Sequence, residues 1–245
     1  MTFPKYILAV LMLLAAGFAA AHAAVNDTVN DTASAKDAEW FSYRDAYKAM
    51  LWFEKYGKPK HLIQNHYQIS PKDKSVSMET VRLSLVSKSS RLNLPLDATG
   101  RTVLPMLKAA YDDNAELILN QKANQYQFRP RASIVIRADG VYEAADLRAA
   151  CEQLLAYQNY LGSDVLRGKK CTGVRFVYAK KAADAVVELK SAERVAQFLP
   201  VIDGAAFWDE SNENFKTVTY VFTGTPEKSQ LVTRSAPIAI SAQFN

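Results

Sequence analysis

Two cysteines, Cys151 and Cys171, carry the clearest chemical signal in this chain. They lack the Cys-x-x-Cys spacing of a redox pair, and His61 and His66 are the only histidines after residue 23 to complete a zinc site. In an oxidising compartment an even cysteine count points to one structural disulfide. Closing a loop of about 20 residues contributes roughly 3 kcal/mol in the chain-entropy account.

Catalytic groups are scarce. Nucleophilic hydrolysis needs a base beside a nucleophile, and the chain has neither a Gly-x-Ser-x-Gly elbow nor a His-Glu-x-x-His pair. His61 and His66 flank an expected strand start, so they should point to opposite faces as surface residues. Asp112-Asp113 and Asp209-Glu210 are adjacent carboxylates in expected turns and read as solvated loop charges. No catalytic residue, metal site or cofactor is assigned.

Two groups of residues qualify for binding. Phe41, Trp52 and Tyr56 turn away from the apolar stripe of an expected first helix. Either a second element covers them, or they stack on sugar rings, peptide or a membrane interface. Arg167-Gly168-Lys169-Lys170 directly precedes Cys171, so Arg167, Lys169 and Lys170 would form a disulfide-tethered basic loop. Such a loop either holds phosphate or carboxylate groups or is an ordinary solvated turn. Arg129-Pro130-Arg131 is a further basic cluster whose position relative to that loop the sequence does not fix.

These residues have to be delivered and positioned. Lys5 followed by an uncharged run from Ile7 to Ala21 and by Ala21-His22-Ala23 is the pattern of a cleaved export signal over 1–23. The run is shorter than the roughly 20 apolar residues of a membrane span, so no transmembrane segment is expected after cleavage. A periplasmic or secreted location follows. Residues 24–38 read as a flexible polar leader. The net charge of +5 favours anionic surfaces; without a dense basic helix it does not point to nucleic acid.

A first helix is expected from Tyr43 to Tyr56, capped by Ser42 with Asp45 and stopped by Gly57 and Pro59. Its inward face should hold Tyr43, Ala46, Tyr47, Met50 and Leu51. A second is expected from Ala144 to Leu161, ended by Gly162, with Cys151 facing the strand Val174 to Tyr178. Alternating strands are expected at Leu62 to Ile69, Val81 to Leu85, Leu92 to Leu96, Ala115 to Leu119, Tyr126 to Phe128, Ser133 to Arg137, Ala185 to Leu189, Thr217 to Phe222 and Pro237 to Gln243. Val103 to Tyr111 and Ala192 to Leu199 read as short helical pieces. Asp97 to Gly100 and Asp139-Gly140 are turn signals.

The two halves follow the same order, helix, glycine stop and strands, which suggests an internal repeat. Matched at a spacing of 93, Arg82 to Leu85 would correspond to Arg175 to Tyr178. Ala115 to Asn120 would correspond to the neighbourhood of Ala205 to Glu210. Leu94-Pro95-Leu96-Asp97-Ala98-Thr99-Gly100-Arg101-Thr102-Val103-Leu104 resembles the Asp-x-x-Gly turn and following strand of transthyretin-like and carboxypeptidase-regulatory-like β-sandwich modules. The resemblance implies a sandwich, and such modules are usually non-catalytic.

The fold class expected is α+β, mainly antiparallel, with two β-sandwich-like modules, each preceded by a helix, over 39–142 and 143–245. The function expected is a non-catalytic binding or accessory protein acting on a cell-envelope polymer or a partner protein. One alternative is an assembly factor that offers strand edges to clients. The other is a glycan hydrolase that works through carboxylates alone.

Overall fold

Short strands pairing antiparallel build most of the chain. The computed structural model describes residues 41–73, 76–191, 194–223 and 228–245; the signal and leader expected over 1–38 lie outside them. All described residues fall in one compact unit.

The first half runs β1 (Phe41–Ser42), α1 (Tyr43–Lys55), β2 (Ile63–Pro71), β3 (Leu83–Val86), β4 (Arg91–Leu94), β5 (Arg101–Thr102), α2 (Lys108–Asp112), β6 (Glu116–Leu119) and β7 (Tyr126–Ile134). The second runs β8 (Val141–Glu143), α3 (Ala144–Tyr160), β9 (Cys171–Ala179), β10 (Val187–Ser191), β11 (Arg194–Phe198), β12 (Val201–Gly204), β13 (Phe215–Val221), β14 (Ser229–Thr233) and β15 (Ala239–Phe244). The result is the α+β, sandwich-like architecture that the alternation pattern implied.

Among the described residues four sheets form, ordered β1-β6-β3-β4, β5-β2-β7, β8-β14-β10-β11 and β12-β13-β9-β15. The third repeats the first element for element, and the fourth repeats the second with β12 added outside β13. This equivalence does not follow the residue match at a spacing of 93. Leu83 to Leu85 lie in β3, whereas Arg175 to Tyr178 lie in β9, the positional counterpart of β2. Ala205 to Glu210 is a loop, not a strand matching β6.

In the first half, Tyr43, Ala46 and Met50 of α1 pack with Tyr67 and Ile69 of β2, Leu83 and Leu85 of β3 and Leu117 of β6. In the second, Leu147, Cys151, Leu154 and Tyr157 of α3 pack with Val174, Phe176 and Tyr178 of β9, Val187 of β10 and Leu231 of β14. That second core also takes Phe53, Tyr56, Ile63, Ala132 and Ile134 from the first half, so apolar packing continues across the expected boundary at 142/143. The boundary itself falls inside β8. β7 and β15 lie side by side, and Gln153 of α3 accepts the Leu62 backbone N–H at 3.0 Å.

Local chemistry explains the ends of elements. Ser42 caps α1 by accepting the Asp45 N–H at 3.3 Å. α1 stops one residue early because Tyr56 is extended and buried; Gly57 is not left-handed. Gly162, at φ +80°, ends α3 as expected. Cys151 and Cys171 are joined, tying α3 to the start of β9.

Several expectations are corrected. Arg194–Phe198 is strand β11, paired antiparallel with β10, not a helix. A short isolated helical pattern has little stability of its own, and the neighbouring strand offers a ladder instead. The helix expected from Val103 starts only at Lys108, past Pro105. Tyr126 to Phe128 and Ser133-Ile134 are one strand, β7, running through Pro130, which an edge strand tolerates. Strands β8, β12 and β14 had not been anticipated.

Candidate functional site

An ionic network is assembled on β2, β5, β7 and the 205–210 loop. It begins with the Asp97 turn. Asp97 Oδ1 accepts the N–H of Thr99 at 2.8 Å and of Arg101 at 3.0 Å, and the Thr99 hydroxyl at 2.6 Å. Gly100 sits at φ +77°, where an added Cβ would lie 2.1 Å from the Ile69 carbonyl oxygen. This turn aims Arg101 inward. The Arg101 guanidinium pairs with Asp97 at 2.8 Å, donates to Ser133 Oγ at 2.8 Å and reaches the Ile238 carbonyl beside β15.

Arg131 of β7 donates from Nε to Gln68 Oε1 at 2.9 Å. Its Nη1 and Nη2 grip Asp209 at 2.8 and 3.1 Å, and Arg129 Nη1 adds a 2.8 Å bond. Gln68 Nε2 then donates to Glu210 Oε1 at 2.9 Å, and both arginines lie 3.8 Å from that oxygen. Phe207 provides an aromatic face to Arg131 at 4.4 Å and to Arg101 at 5.5 Å. Burial works against the Asp209 carboxylate, but the hydrogen bonds and charge of Arg131 outweigh it and hold the group below its ordinary pKa. Arg101, Arg129 and Arg131 thus meet Asp97, Asp209 and Glu210, three cations against three carboxylates.

Beside this network lies a cavity of about 310 Å³, lined by Val165, Leu166, Lys169, Arg175, Trp208, Glu210, Gln243 and Phe244. Arg175 projects from β9. Its Nη1 donates to the Ala205 carbonyl at 2.8 Å and its Nη2 to Gln243 Oε1 at 2.9 Å. Its Nε is buried and makes no hydrogen bond. No carboxylate pairs with Arg175 among the described residues, although burial already lowers its pKa. Lys169 adds a second cation to the wall, and Trp208 stands edge-on to Phe244 with ring centroids 5.8 Å apart.

Of the anticipated cations, Lys169 lines the cavity. Arg167 turns to Asp164 at 2.5 Å, and the Lys170 N–H bonds Asn245 Oδ1 at 3.2 Å. The disulfide holds this loop beside β15, since Phe244 pairs with Cys171. The anticipated aromatics do not form one surface. Phe41 stacks on Phe128 at 4.8 Å, and Tyr56 is buried against Tyr157. Trp52 is 55% exposed beside Tyr160, at 5.9 Å.

Asp209-Glu210 is a correction: its side chains are 19% and 12% exposed and held by arginines, so they are not solvated loop charges. Only pairing with Arg129 and Arg131, 80 and 78 residues away, makes that burial tolerable. His66 is also corrected. It is half-buried, with Nδ1 3.4 Å from Ser133 Oγ, and burial, then the nearby Arg101 charge, lower its pKa to about 4. His61 is exposed, as expected. Among the described residues no group of three or more His, Cys, Asp or Glu could hold a metal ion.

Arg175, Trp208 and Gln243 were missed. For Arg175 a signal existed: it is the one charged residue in the apolar run Val174 to Tyr178. Nothing local marked Trp208 or Gln243. Comparison with known proteins adds no relative: no family model, curated protein or solved structure matches the chain.

Proposed function

We propose that this chain is an exported, non-catalytic binding protein that takes a small anionic component of the cell envelope into the cavity at Lys169 and Arg175. The observation that carries this reading is Arg175, a half-buried guanidinium on a cavity wall without a carboxylate partner. A guanidinium half withdrawn from water, bonded only to neutral oxygens and facing a cavity, favours an anion from outside. The volume, about 310 Å³, is that of a small-molecule site. Among the described residues Glu210 is the only carboxylate on this wall, whereas glycoside hydrolysis by carboxylates needs two. The Cys151–Cys171 bond supports maturation in an oxidising compartment.

Calorimetric titration with small envelope carboxylates and phosphates tests the reading. Arg175→Leu and Lys169→Ala are each expected to weaken binding at least tenfold, with affinity falling as salt rises. Equal affinity in wild type and both variants would end it.

The assembly-factor alternative draws on a different observation. β11 and β12 are edge strands, and Val195, Phe198 and Ile202 on them are 92%, 62% and 59% exposed. Open apolar edges accept an added strand. A photo-crosslinker at Phe198 should then capture a protein in cells, and Val195→Lys should abolish the capture. An uncrosslinked protein would count against this second reading.

A further inference from the structure

We infer that the occupant of the cavity is a free α-amino acid with an apolar side chain: carboxylate on Arg175 and Lys169, ammonium on Glu210, side chain against Trp208, Leu166 and Phe244. This rests on the reading of the cavity as an anion site and narrows it to one class of ligand.

Among the described residues the wall carries two cations without ion-pair partners, Arg175 and Lys169, and one carboxylate, Glu210. The contacts of Glu210 fall on Oε1, which takes the Gln68 amide and faces Arg129 and Arg131. Oε2 receives no hydrogen bond from the described residues and is not a buried atom, so it is free to take a donor from a ligand in place of water. A phosphate or sulfate would satisfy the cations but set like charge against Glu210 and give it no donor. A simple carboxylate would leave Oε2 unanswered. An α-amino acid carries acid and ammonium on one carbon, which answers both signs at once with charge-assisted hydrogen bonds.

Val165, Leu166, Phe244 and the Trp208 ring add apolar surface to a half-open wall that is otherwise polar. Contact with that surface partly desolvates a hydrocarbon side chain, at about 25 cal/mol per Å² buried. At about 310 Å³ the cavity is at the lower end of small-molecule sites, which suits a single residue rather than a polymer. Gln243, held by its bond to Arg175 Nη2, fixes the guanidinium plane and so the approach of the carboxylate.

The test is calorimetry of the full mature chain with leucine, N-acetyl-leucine, its α-hydroxy analogue and leucinamide. Leucine is expected to bind at least tenfold tighter than each of the other three. Glu210→Gln keeps the Gln68 contact and should erase the preference for leucine over the acetylated and hydroxy compounds. Lys169→Ala, on an exposed loop where folding is not at stake, should weaken leucine and leave leucinamide unchanged. If all three carboxylates bind alike, the amino-acid assignment falls while the anion reading stands. If no carboxylate binds, or leucinamide binds as well as leucine, both fall.

Discussion

At the scale of single residues, the polar network requires His66 to stay neutral. Burial and the Arg101 guanidinium hold its pKa near 4, against an ordinary value of 6.5. Between these values the unfolded chain binds a proton that the folded chain refuses. The contribution is therefore complete above pH 6.5 and is lost as pH falls towards 4. Its size is about 3 kcal/mol. Asp209, held below its ordinary value, works in the same direction at lower pH: its share is present above the unfolded pKa and lost as pH falls through the folded one. Urea unfolding at pH 7, 5.5 and 4 should show the decline. His66→Asn, which cannot take the proton, should flatten the segment between 6.5 and 4 while leaving the lower segment. An unchanged slope in that variant would place the titration elsewhere.

At the scale of elements, the disulfide is the covalent support of the site. It fixes the first residue of β9 to α3 and, through the pairing of Cys171 with Phe244, sets the end of β15 that lines the cavity. Replacing both Cys151 and Cys171 by serine should cost about 3 kcal/mol. For a chain of this size that lowers Tm by roughly 6–12 °C in a calorimetric scan. Ligand affinity should fall as well, because the Lys169 loop loses its anchor. The elements that this bond joins were legible in the sequence. α3 could be read from its apolar stripe and Gly162, and β9 from its run of β-branched and aromatic residues. β11 was not, since Arg194–Phe198 becomes a strand only through pairing with β10. The site was half legible for the same reason. A basic loop before a cysteine is a local signal and led to Lys169. The burial of Asp209 and Glu210 depends on arginines some 80 residues earlier in the chain, and no local pattern records that.

At the scale of the whole molecule, the repeated strand order poses a question of independence: two sets of sheets with equivalent topology would each be a candidate for folding alone. The packing argues against it. Phe53, Tyr56, Ile63 and Ile134 from before residue 140 are buried in the cluster built on α3 and β9. Exposing four large apolar side chains costs about 1.5–3 kcal/mol each, or roughly 6–12 kcal/mol together. That is comparable with the entire stability of a typical domain, about 5–15 kcal/mol. Separation would also strip Arg129 and Arg131 of Asp209 and Glu210, leaving the Arg131 guanidinium, only 7% exposed in the intact chain, without its carboxylates. Residues 41–142 and 143–245 produced as separate fragments should therefore lack cooperative thermal transitions by circular dichroism. Mixing them should restore one transition, carried by the shared core and the ionic network. A cooperative transition in the 41–142 fragment alone would mean that the contacts across the boundary decorate two self-sufficient sandwiches.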